Sequence, residues 1–509
     1  MARQYQDLSP AVEGFSKPAA SLLWNLPPVR RNNGGGIENN SAMKNYATNH
    51  QSVPTQPRTL SRRRFLRAAA ATWLTANIVP ARVFGANSRL NLAGVGIGGV
   101  GFPQLRDCEK AGFNIVALCD VDDVYAKKAF DKWPQARRYR DFREMLRAEG
   151  DKIDAVHCGT PDHTHAIITL AALRRKKHVC CVKPLTRTIH ESRVVLEAAR
   201  KAGVATQVTA QANTSDTACR TCELIAAGAI GAVREVHVWS NRPLWPQGMQ
   251  RPPGEDAVPA SFDWKLWLGP APQRPFKDKW PEGNYALEQV KAAGKKGPNS
   301  KGVYHPWNFR GWWDFGTGAL GDMGCHYLNT PFRALKLTHP TRVQASATKV
   351  FAETAPLAAV VTYDFPARGS LPPVRVIWYD GGLKPPALAE FEGRPPDGGA
   401  LYIGDEGRML GATVLPASRA AKFDSAPKTL PRRGGTWVEW FEACKGGEPA
   451  GCNFDWAGPL TEAVLLGNIA IRAGKPLEWD AARAKFTNDD AANALVSEAY
   501  QNGWSLDAI

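Results

Sequence analysis

A glycine-rich turn constrains this chain more than any other feature of its sequence. Gly96, Gly98 and Gly101 follow the pattern G-x-G-x-x-G. The motif comes after the apolar residues 90–93, a predicted strand, and before residues 102–112, a predicted helix. In such a unit the first glycine permits a tight turn, the second lets backbone amides approach a pyrophosphate, and the third allows close packing of helix on strand. The N-terminus of the helix then favours an anion.

A second predicted strand supports the same interpretation. Residues 114–119 form a largely apolar run that ends at Asp120, nineteen residues after Gly101. An acidic side chain about 20 residues beyond the glycines is where adenosine ribose hydroxyls would be bound. We therefore predict a nicotinamide dinucleotide site. Its residues in this part of the chain are Gly96, Gly98, Gly99, Gly101 and Asp120. The carboxylate repels a 2′-phosphate and so favours NAD, although a nearby Lys or Arg would leave NADP open.

From Leu90 to about Val208 the chain alternates short apolar strands with amphipathic helices. Beyond the glycine unit we predict strands at residues 152–159, 178–182 and 205–208, and helices at residues 166–175 and 189–201. Such alternation is typical of an α/β domain of the Rossmann type, with a doubly wound parallel sheet. Ligands of these domains lie beyond the carboxyl ends of the strands.

Several polar residues follow these strand ends. We predict that the cofactor also contacts Thr160, Pro161, His165, Lys183 and Gln211. A lysine at the mouth of an apolar strand is partly desolvated, so Lys183 can bind a substrate hydroxyl and influence proton transfer. The alternative is a solvated lysine on a loop.

Two histidines, His163 and His165, are also candidates for metal ligands. They lack a carboxylate or cysteine partner at ligand spacing. We therefore predict no metal site, and expect these histidines to cap the following helix or to line the cofactor pocket.

The first 86 residues have the character of a leader. Residues 61–67, Ser-Arg-Arg-Arg-Phe-Leu-Arg, match a twin-arginine export motif and precede a moderately apolar run at residues 68–79. That run is shorter than the roughly 20 residues that span a bilayer. Residues 1–42 are polar and aperiodic, which predicts disorder. We predict a disordered leader and signal peptide over residues 1–86, export to the periplasm through the twin-arginine machinery, and no stable membrane span.

Export by this route bears on the cofactor. The twin-arginine machinery carries folded proteins, so a nucleotide can be loaded before transport. Free nicotinamide cofactor is scarce outside the cytoplasm. We therefore expect NAD to be tightly bound.

The positive charge of the chain does not indicate a nucleic-acid partner. The formal net charge is +16. Residues 1–86 carry eleven basic and three acidic side chains, which is half of that excess. The rest is spread over the remaining chain, without a run of Lys and Arg of the kind that binds nucleic acid. We exclude nucleic acid as a partner.

The motifs together resemble the Gfo/Idh/MocA family of glucose–fructose oxidoreductases and inositol dehydrogenases, in particular an exported bacterial branch. The resemblance is carried by the glycine motif, by the segments at residues 119–122, 154–156, 160–165 and 183–184, and in the second half by residues 235–239, 263–270, 309–318 and 453–462. It implies a Rossmann domain over residues 87–212. It further implies an α/β domain over residues 213–509, with a large, mostly antiparallel open sheet that carries the substrate face and a homo-oligomer interface.

The family resemblance also assigns catalytic residues. Its Glu-Lys-Pro motif corresponds to Val182-Lys183-Pro184, which keeps the lysine and lacks the glutamate. Its Asp-x-x-x-His pair corresponds to Asp322 and His326. We predict that a helix starts in the segment at residues 319–335, and two side chains four residues apart on a helix share a face. An imidazole suits removal of a hydroxyl proton, and a carboxylate can orient it or bind substrate. A helix-capping Asp beside a packed His is the structural alternative.

Substrate contacts are expected from the same residues and from a tryptophan-rich stretch. Lys183, Asp322 and His326 are predicted both to catalyse and to bind substrate. Trp312 offers an indole platform for a sugar ring, although most tryptophans are core residues. Arg310 can pair with an acidic sugar or a cofactor phosphate.

Three functions are consistent with this sequence. The first is an exported NAD(P)-dependent oxidoreductase that transfers a hydride from a sugar, polyol or glycoside hydroxyl. The second is a glycoside hydrolase that uses tightly bound NAD for transient oxidation at C3 followed by elimination. The third is a non-catalytic sugar-binding protein.

Overall fold

Two β-sheets organise the part of the chain that the structure describes. The computed structural model describes residues 89–210, 213–284, 288, 302–390 and 395–507, which all belong to one unit, residues 81–509. Within these residues, six strands form one sheet and nine form another. The α/β class and both predicted sheets are confirmed. The predicted leader and signal peptide, residues 1–86, lie outside the described residues, as does Gln211.

The first sheet is entirely parallel and has the strand order β3-β2-β1-β4-β5-β6. Its strands are β1 Asn91–Val95, β2 Asn114–Cys119, β3 Arg137–Tyr139, β4 Ala155–Cys158, β5 His178–Val182 and β6 Thr206–Thr209. The central strands are apolar because helices cover both faces of the sheet. The strand order reverses between β1 and β4, and ligands of such sheets bind in the crevice at this point.

Helices connect the strands of this sheet. They are α1 Gly101–Ala111, α2 Lys127–Lys132, α3 Phe142–Glu149, α4 His165–Arg174 and α5 Ile189–Ala202. Local chemistry sets the limits of α5. Thr188 and Glu191 form a capping box at its start, and Gly203 ends it with a φ of 65°.

The second sheet is mostly antiparallel and has the order β13-β12-β11-β7-β10-β9-β8-β14-β15. Its strands are β7 Val233–Ser240, β8 Arg342–Ala347, β9 Ala359–Phe365, β10 Val374–Tyr379, β11 Gly398–Gly404, β12 Arg408–Leu410, β13 Thr413–Leu415, β14 Leu477–Asp480 and β15 Lys485–Phe486. Strands β7 and β10 pair in parallel. Along β9 buried and half-buried residues alternate, as expected for a sheet with one fully covered face.

The helices of the second half contact the second sheet, the first domain or one another. They are α6 Asp216–Ala226, α7 Trp264–Leu268, α8 Gly318–Tyr327, α9 Asn329–Leu335, α10 Ala417–Phe423, α11 Thr436–Cys444, α12 Phe454–Ala473 and α13 Asp490–Asn493. The helix start predicted within residues 319–335 corresponds to α8, and a second helix follows it, because α8 ends at Tyr327 and α9 begins at Asn329. Pro331 explains the break, since it lacks the N–H that would bond to the carbonyl of Tyr327.

Segments after residue 213 complete the core of the first domain. Trp440 of α11 packs on Phe113 with ring centroids 4.7 Å apart. Near the end of the chain, Trp504 stacks on Phe142 at 5.9 Å. The strands of the two sheets follow one another in sequence. The hydrophobic core of the first domain, in contrast, includes residues from both halves of the chain. No helix in the described ranges is long and apolar enough to cross a membrane.

Candidate functional site

The carboxyl ends of the parallel strands open into a cavity of about 360 Å³. Residues from both halves of the chain line it. The predicted site residues among them are Gly96, Gly98, Gly99, Asp120, Thr160, Pro161, Lys183, Arg310, Asp322 and His326. The structure therefore brings most of the predicted cofactor residues and all of the predicted catalytic residues into one cavity. Gly101 and His165 do not line it.

The glycine turn has no room for side chains at its two ends. Gly96 has a φ of 73°, and a Cβ on it would lie 2.6 Å from the backbone nitrogen of Thr160. A Cβ on Gly101 would lie 1.9 Å from the carbonyl oxygen of Gly96. Gly101 does not line the cavity. It allows α1 to begin against the turn, as the motif predicts.

Asp120 fastens the turn to the end of β2. Its Oδ2 accepts hydrogen bonds from the amides of Ile97 at 2.9 Å and Gly98 at 3.1 Å. Burial raises the pKa of Asp120, and these backbone hydrogen bonds partly oppose that effect. The amides of Gly99 and Val100 form no hydrogen bond with another described residue. They stand just ahead of α1, where a helix N-terminus attracts an anion.

Tyr125, which the sequence analysis did not identify, covers the glycine turn. A Cβ on Gly98 would lie 2.2 Å from its ring. The ring also meets the imidazole of His305 edge to face, with centroids 5.1 Å apart. Nε2 of His305 lies 3.1 Å from a carboxylate oxygen of Asp122. These contacts tie the segment after β2 to the second domain. Burial raises the pKa of Tyr125 to about 12.

His165 lies behind the wall of the cavity. Its Nδ1 is 2.7 Å from the carbonyl oxygen of Pro184, and its Nε2 is 2.9 Å from that of Thr160. The buried imidazole thus joins the ends of β4 and β5. The thiols of Cys158 and Cys181 come within 4.8 Å of it. Both ring nitrogens lie within hydrogen-bond distance of carbonyl oxygens, so His165 holds the two strand ends together.

His163 is likewise a structural residue. It is buried, and its Nε2 lies 2.8 Å from the carbonyl oxygen of Trp267. Burial lowers the pKa of His163 to about 3, so the imidazole is neutral and donates this hydrogen bond.

Lys183, Asp322 and Arg310 form a buried charge cluster. Lys183 at the end of β5 donates a hydrogen bond to Oδ1 of Asp322 on α8. Nε of Arg310 donates to the same oxygen at 2.9 Å. The three side chains are only 12–14% exposed. Burial alone would raise the pKa of Asp322, but the charges and hydrogen bonds of Lys183 and Arg310 outweigh burial and hold it well below its usual value.

The start of α8 is anchored to the first domain. Oγ1 of Thr317 donates to Oδ2 of Asp162 at 2.7 Å, and Asn468 of α12 donates to the carbonyl of Thr317 at 2.8 Å. A Cβ on Gly321 would lie 1.9 Å from Oγ1 of Thr317. This packing fixes the direction of α8, and with it the side chains that α8 presents to the cavity.

His326 stands one helical turn after Asp322 and also lines the cavity. Burial, and then the charge of Lys183, lower its pKa to about 3, although Asp322 opposes the shift. The imidazole is therefore neutral at physiological pH. A neutral imidazole beside a lysine can accept a proton from a hydroxyl group.

Trp312 does not line the cavity. Its buried indole donates to the carbonyl of Val303 at 2.9 Å and packs on Tyr304. Trp245 and Trp307 line the cavity instead. The guanidinium carbon of Arg310 lies 4.4 Å from the ring centroid of Trp307. The sequence predicted that this aromatic stretch lies near the substrate, but it did not indicate which indole ring faces the cavity.

Two family profiles match the chain. Residues 90–210 match the Gfo/Idh/MocA profile described as "Oxidoreductase family, NAD-binding Rossmann fold". Residues 290–367 match the profile described as "Oxidoreductase family, C-terminal alpha/beta domain".

Relatives of this chain include inositol 2-dehydrogenases. The protein from Salmonella paratyphi B is 34% identical over 113 residues, 21% of this chain and 33% of the relative. That from Rubrobacter xylanophilus is 30% identical over 151 residues, 29% of this chain and 43% of the relative. The matched region thus spans about a third of the first curated relatives.

The fold is similar to that of the WlbA dehydrogenase from Bordetella pertussis. The TM-score is 0.50 at 15% identity, and the match covers 77% of this chain and 99% of that one. Over residues 90–210 and 290–367 the chain is therefore similar to the Gfo/Idh/MocA oxidoreductases, the family indicated by its sequence motifs.

Proposed function

We propose that this protein is an NAD-dependent oxidoreductase that transfers a hydride between nicotinamide and a hydroxyl-bearing carbon of a sugar or polyol. One observation carries the proposal: a single cavity is lined by the glycine turn with Asp120 and by Lys183, Asp322 and a neutral His326. The inositol 2-dehydrogenase relatives support the substrate class.

The residues of the turn suit a dinucleotide. The amides of Gly99 and Val100 are available to a pyrophosphate at the start of α1. Asp120 stands at the end of β2, where a carboxylate binds ribose hydroxyls and disfavours the 2′-phosphate of NADP. When bound, NAD supplies the hydride acceptor.

The charge cluster prepares the substrate hydroxyl for oxidation. Lys183, oriented by Asp322, donates a hydrogen bond to the hydroxyl oxygen. The neutral imidazole of His326 accepts the hydroxyl proton as the hydride leaves carbon, so the alcohol becomes a carbonyl and the imidazole becomes an imidazolium. The hydrogen bond to Asp322 holds Lys183 in place. In the reverse direction His326 returns the proton.

We also propose that the protein is exported by the twin-arginine route, keeps NAD tightly bound during transport, and forms a homo-oligomer. Residues 61–67 support export. The face of the second sheet opposite the helices supports self-association, because apolar side chains at the edge of the buried cluster of Trp239 and Tyr379 remain partly exposed on it. Val360 and Ile377 pack against this cluster and are only partly buried.

The test begins with the nucleotide that the purified protein releases on denaturation. Mass spectrometry is expected to identify NAD or NADH. The native protein is then given sugars, polyols and aryl glycosides without added cofactor, while nicotinamide fluorescence is followed. A change in the nicotinamide redox state supports the oxidoreductase. Release of the aglycone without such a change would instead support the hydrolase. Sugar binding without any reaction would support a non-catalytic binding protein.

A further inference from the structure

The part of the cavity around Asp322 has more positive than negative charge. Lys183, Arg310 and Arg242 all line it. The first two share one carboxylate, that of Asp322. A second buried carboxylate, Asp162, also lines the cavity and accepts a hydrogen bond from Thr317. Arg242 is therefore a third positive charge in this part of the cavity, where Lys183 and Arg310 already share the carboxylate of Asp322.

Arg242 is held by neutral groups. It follows β7 closely, where its amide donates to Oγ of Ser240 at 3.3 Å and its carbonyl accepts from Gly381 at 2.6 Å. Its guanidinium donates to the side-chain oxygen of Asn241. The side-chain amide of Asn241 also donates to the carboxylate of Asp397 at 3.1 Å, so Asp397 bonds to Asn241. In the part of the chain that the structure describes, no carboxylate forms an ion pair with Arg242.

The position of Arg242 relates it to the reacting group. Its charge acts on His326 and is one of the influences that lower the pKa of that imidazole. Trp245, three residues further on, lines the same cavity. A guanidinium in such a place presents a planar pair of donors that matches two oxygens of a carboxylate or a phosphate. A neutral polyol would leave this partly buried charge without a counterion.

We propose that Arg242 forms a subsite for an anionic substituent of the substrate, a carboxylate or a phosphate. The substrate is accordingly an acidic sugar or a sugar phosphate and not a neutral polyol. This inference rests on the proposed function, because it assigns a specificity residue within the same cavity.

The test compares neutral and anionic substrates of similar shape. Values of kcat/KM are measured for D-glucose, D-glucuronate and D-glucose 6-phosphate with the wild type, Arg242→Gln and Arg242→Lys. Arg234→Gln is the matched control, because Arg234 lies on β7 but pairs with Asp405 at the surface. We expect the wild type to prefer an anionic sugar. The anionic-to-neutral ratio should fall about tenfold or more in Arg242→Gln, since a charge-assisted hydrogen bond is lost. It should fall less in Arg242→Lys and stay unchanged in Arg234→Gln.

The two anions distinguish carboxylate from phosphate recognition. A wild-type preference for glucose, or an unchanged ratio in Arg242→Gln, would overturn the inference. Failure of every protein to change the nicotinamide redox state would count against the proposed function. In that event titration calorimetry with the same sugars tests whether Arg242 binds the anionic group. Weaker binding of the anion to Arg242→Gln supports it, and equal binding of the anion to both proteins overturns it.

Discussion

Lys183 at the end of β5 donates a hydrogen bond to Asp322 on α8, which joins the parallel sheet to the second domain inside the cavity. Neither side chain is more than 14% exposed. A charge that is buried to this extent depends on its partner, because its own hydration has been lost. The position of the lysine therefore requires that both domains be assembled.

Replacing Asp322 tests this dependence. Asp322→Asn leaves Lys183 and Arg310 without their shared carboxylate, so the free energy of unfolding should fall by roughly 3 kcal/mol. Urea denaturation measures the loss. Asp405→Asn is the control, because its ion pair with Arg234 is exposed and such pairs contribute about 1 kcal/mol or less. Equal losses in the two variants would contradict a special role for the buried pair.

The pH profile tests the protonation state of His326. Its pKa is lowered to about 3, so the neutral base is fully present above the ordinary pKa of histidine and is lost only as the pH falls towards 3. We expect kcat/KM to show no histidine limb between about pH 8 and about pH 5. An acid limb centred near the ordinary histidine pKa would argue against this assignment.

Removing the imidazole gives a separate test of catalysis. His326→Asn should lower kcat by about 10²-fold or more, the usual contribution of general acid–base catalysis. Binding of NAD, followed by calorimetry, should remain, because His326 lies on α8 and not on the glycine turn. Unchanged turnover in this variant would exclude His326 as the base.

The glycine turn predicts a sharp contrast between two Gly→Ala variants. In Gly101→Ala the new Cβ would lie 1.9 Å from the carbonyl oxygen of Gly96, so α1 must move away from the turn. We expect loss of NAD binding and a lower Tm. Gly150→Ala places its Cβ where no atom lies within 4 Å and should leave both properties unchanged. Normal NAD binding by Gly101→Ala would contradict the packing described here.

The features that the sequence predicted well are those set by local chain chemistry. The glycine turn follows from φ angles and close backbone contacts, and Asp120 follows from the length of one helix and one strand. Asp322 and His326 share a helical face whatever surrounds them. By contrast, β3 was not predicted, because its residues are exposed or half-buried and show no apolar run.

The composition of the cavity wall could not be read from local pattern. Trp312 and Trp307 lie in one tryptophan-rich stretch, yet only Trp307 lines the cavity. The side that each indole faces depends on how this stretch packs against α7 and α8. Arg242 enters the site from the end of β7, just after the segment at residues 235–239, for which the sequence indicated no role in the site. Its role depends on which carboxylates the fold brings near it.

Asp120 gives a test of cofactor choice. Its carboxylate is expected to bind ribose hydroxyls and to repel a 2′-phosphate. Asp120→Ser removes both effects and also the acceptor for the amides of Ile97 and Gly98. Calorimetry should show NAD binding about tenfold weaker or more, because a charge-assisted hydrogen bond is lost. Binding of NADP should weaken less, because Arg140 also lines the cavity and can meet a phosphate. Asp107→Asn on the exposed face of α1 removes the same charge and should leave both affinities unchanged. Equal weakening of NAD and NADP in Asp120→Ser would show that Asp120 only supports the turn and does not select the nucleotide.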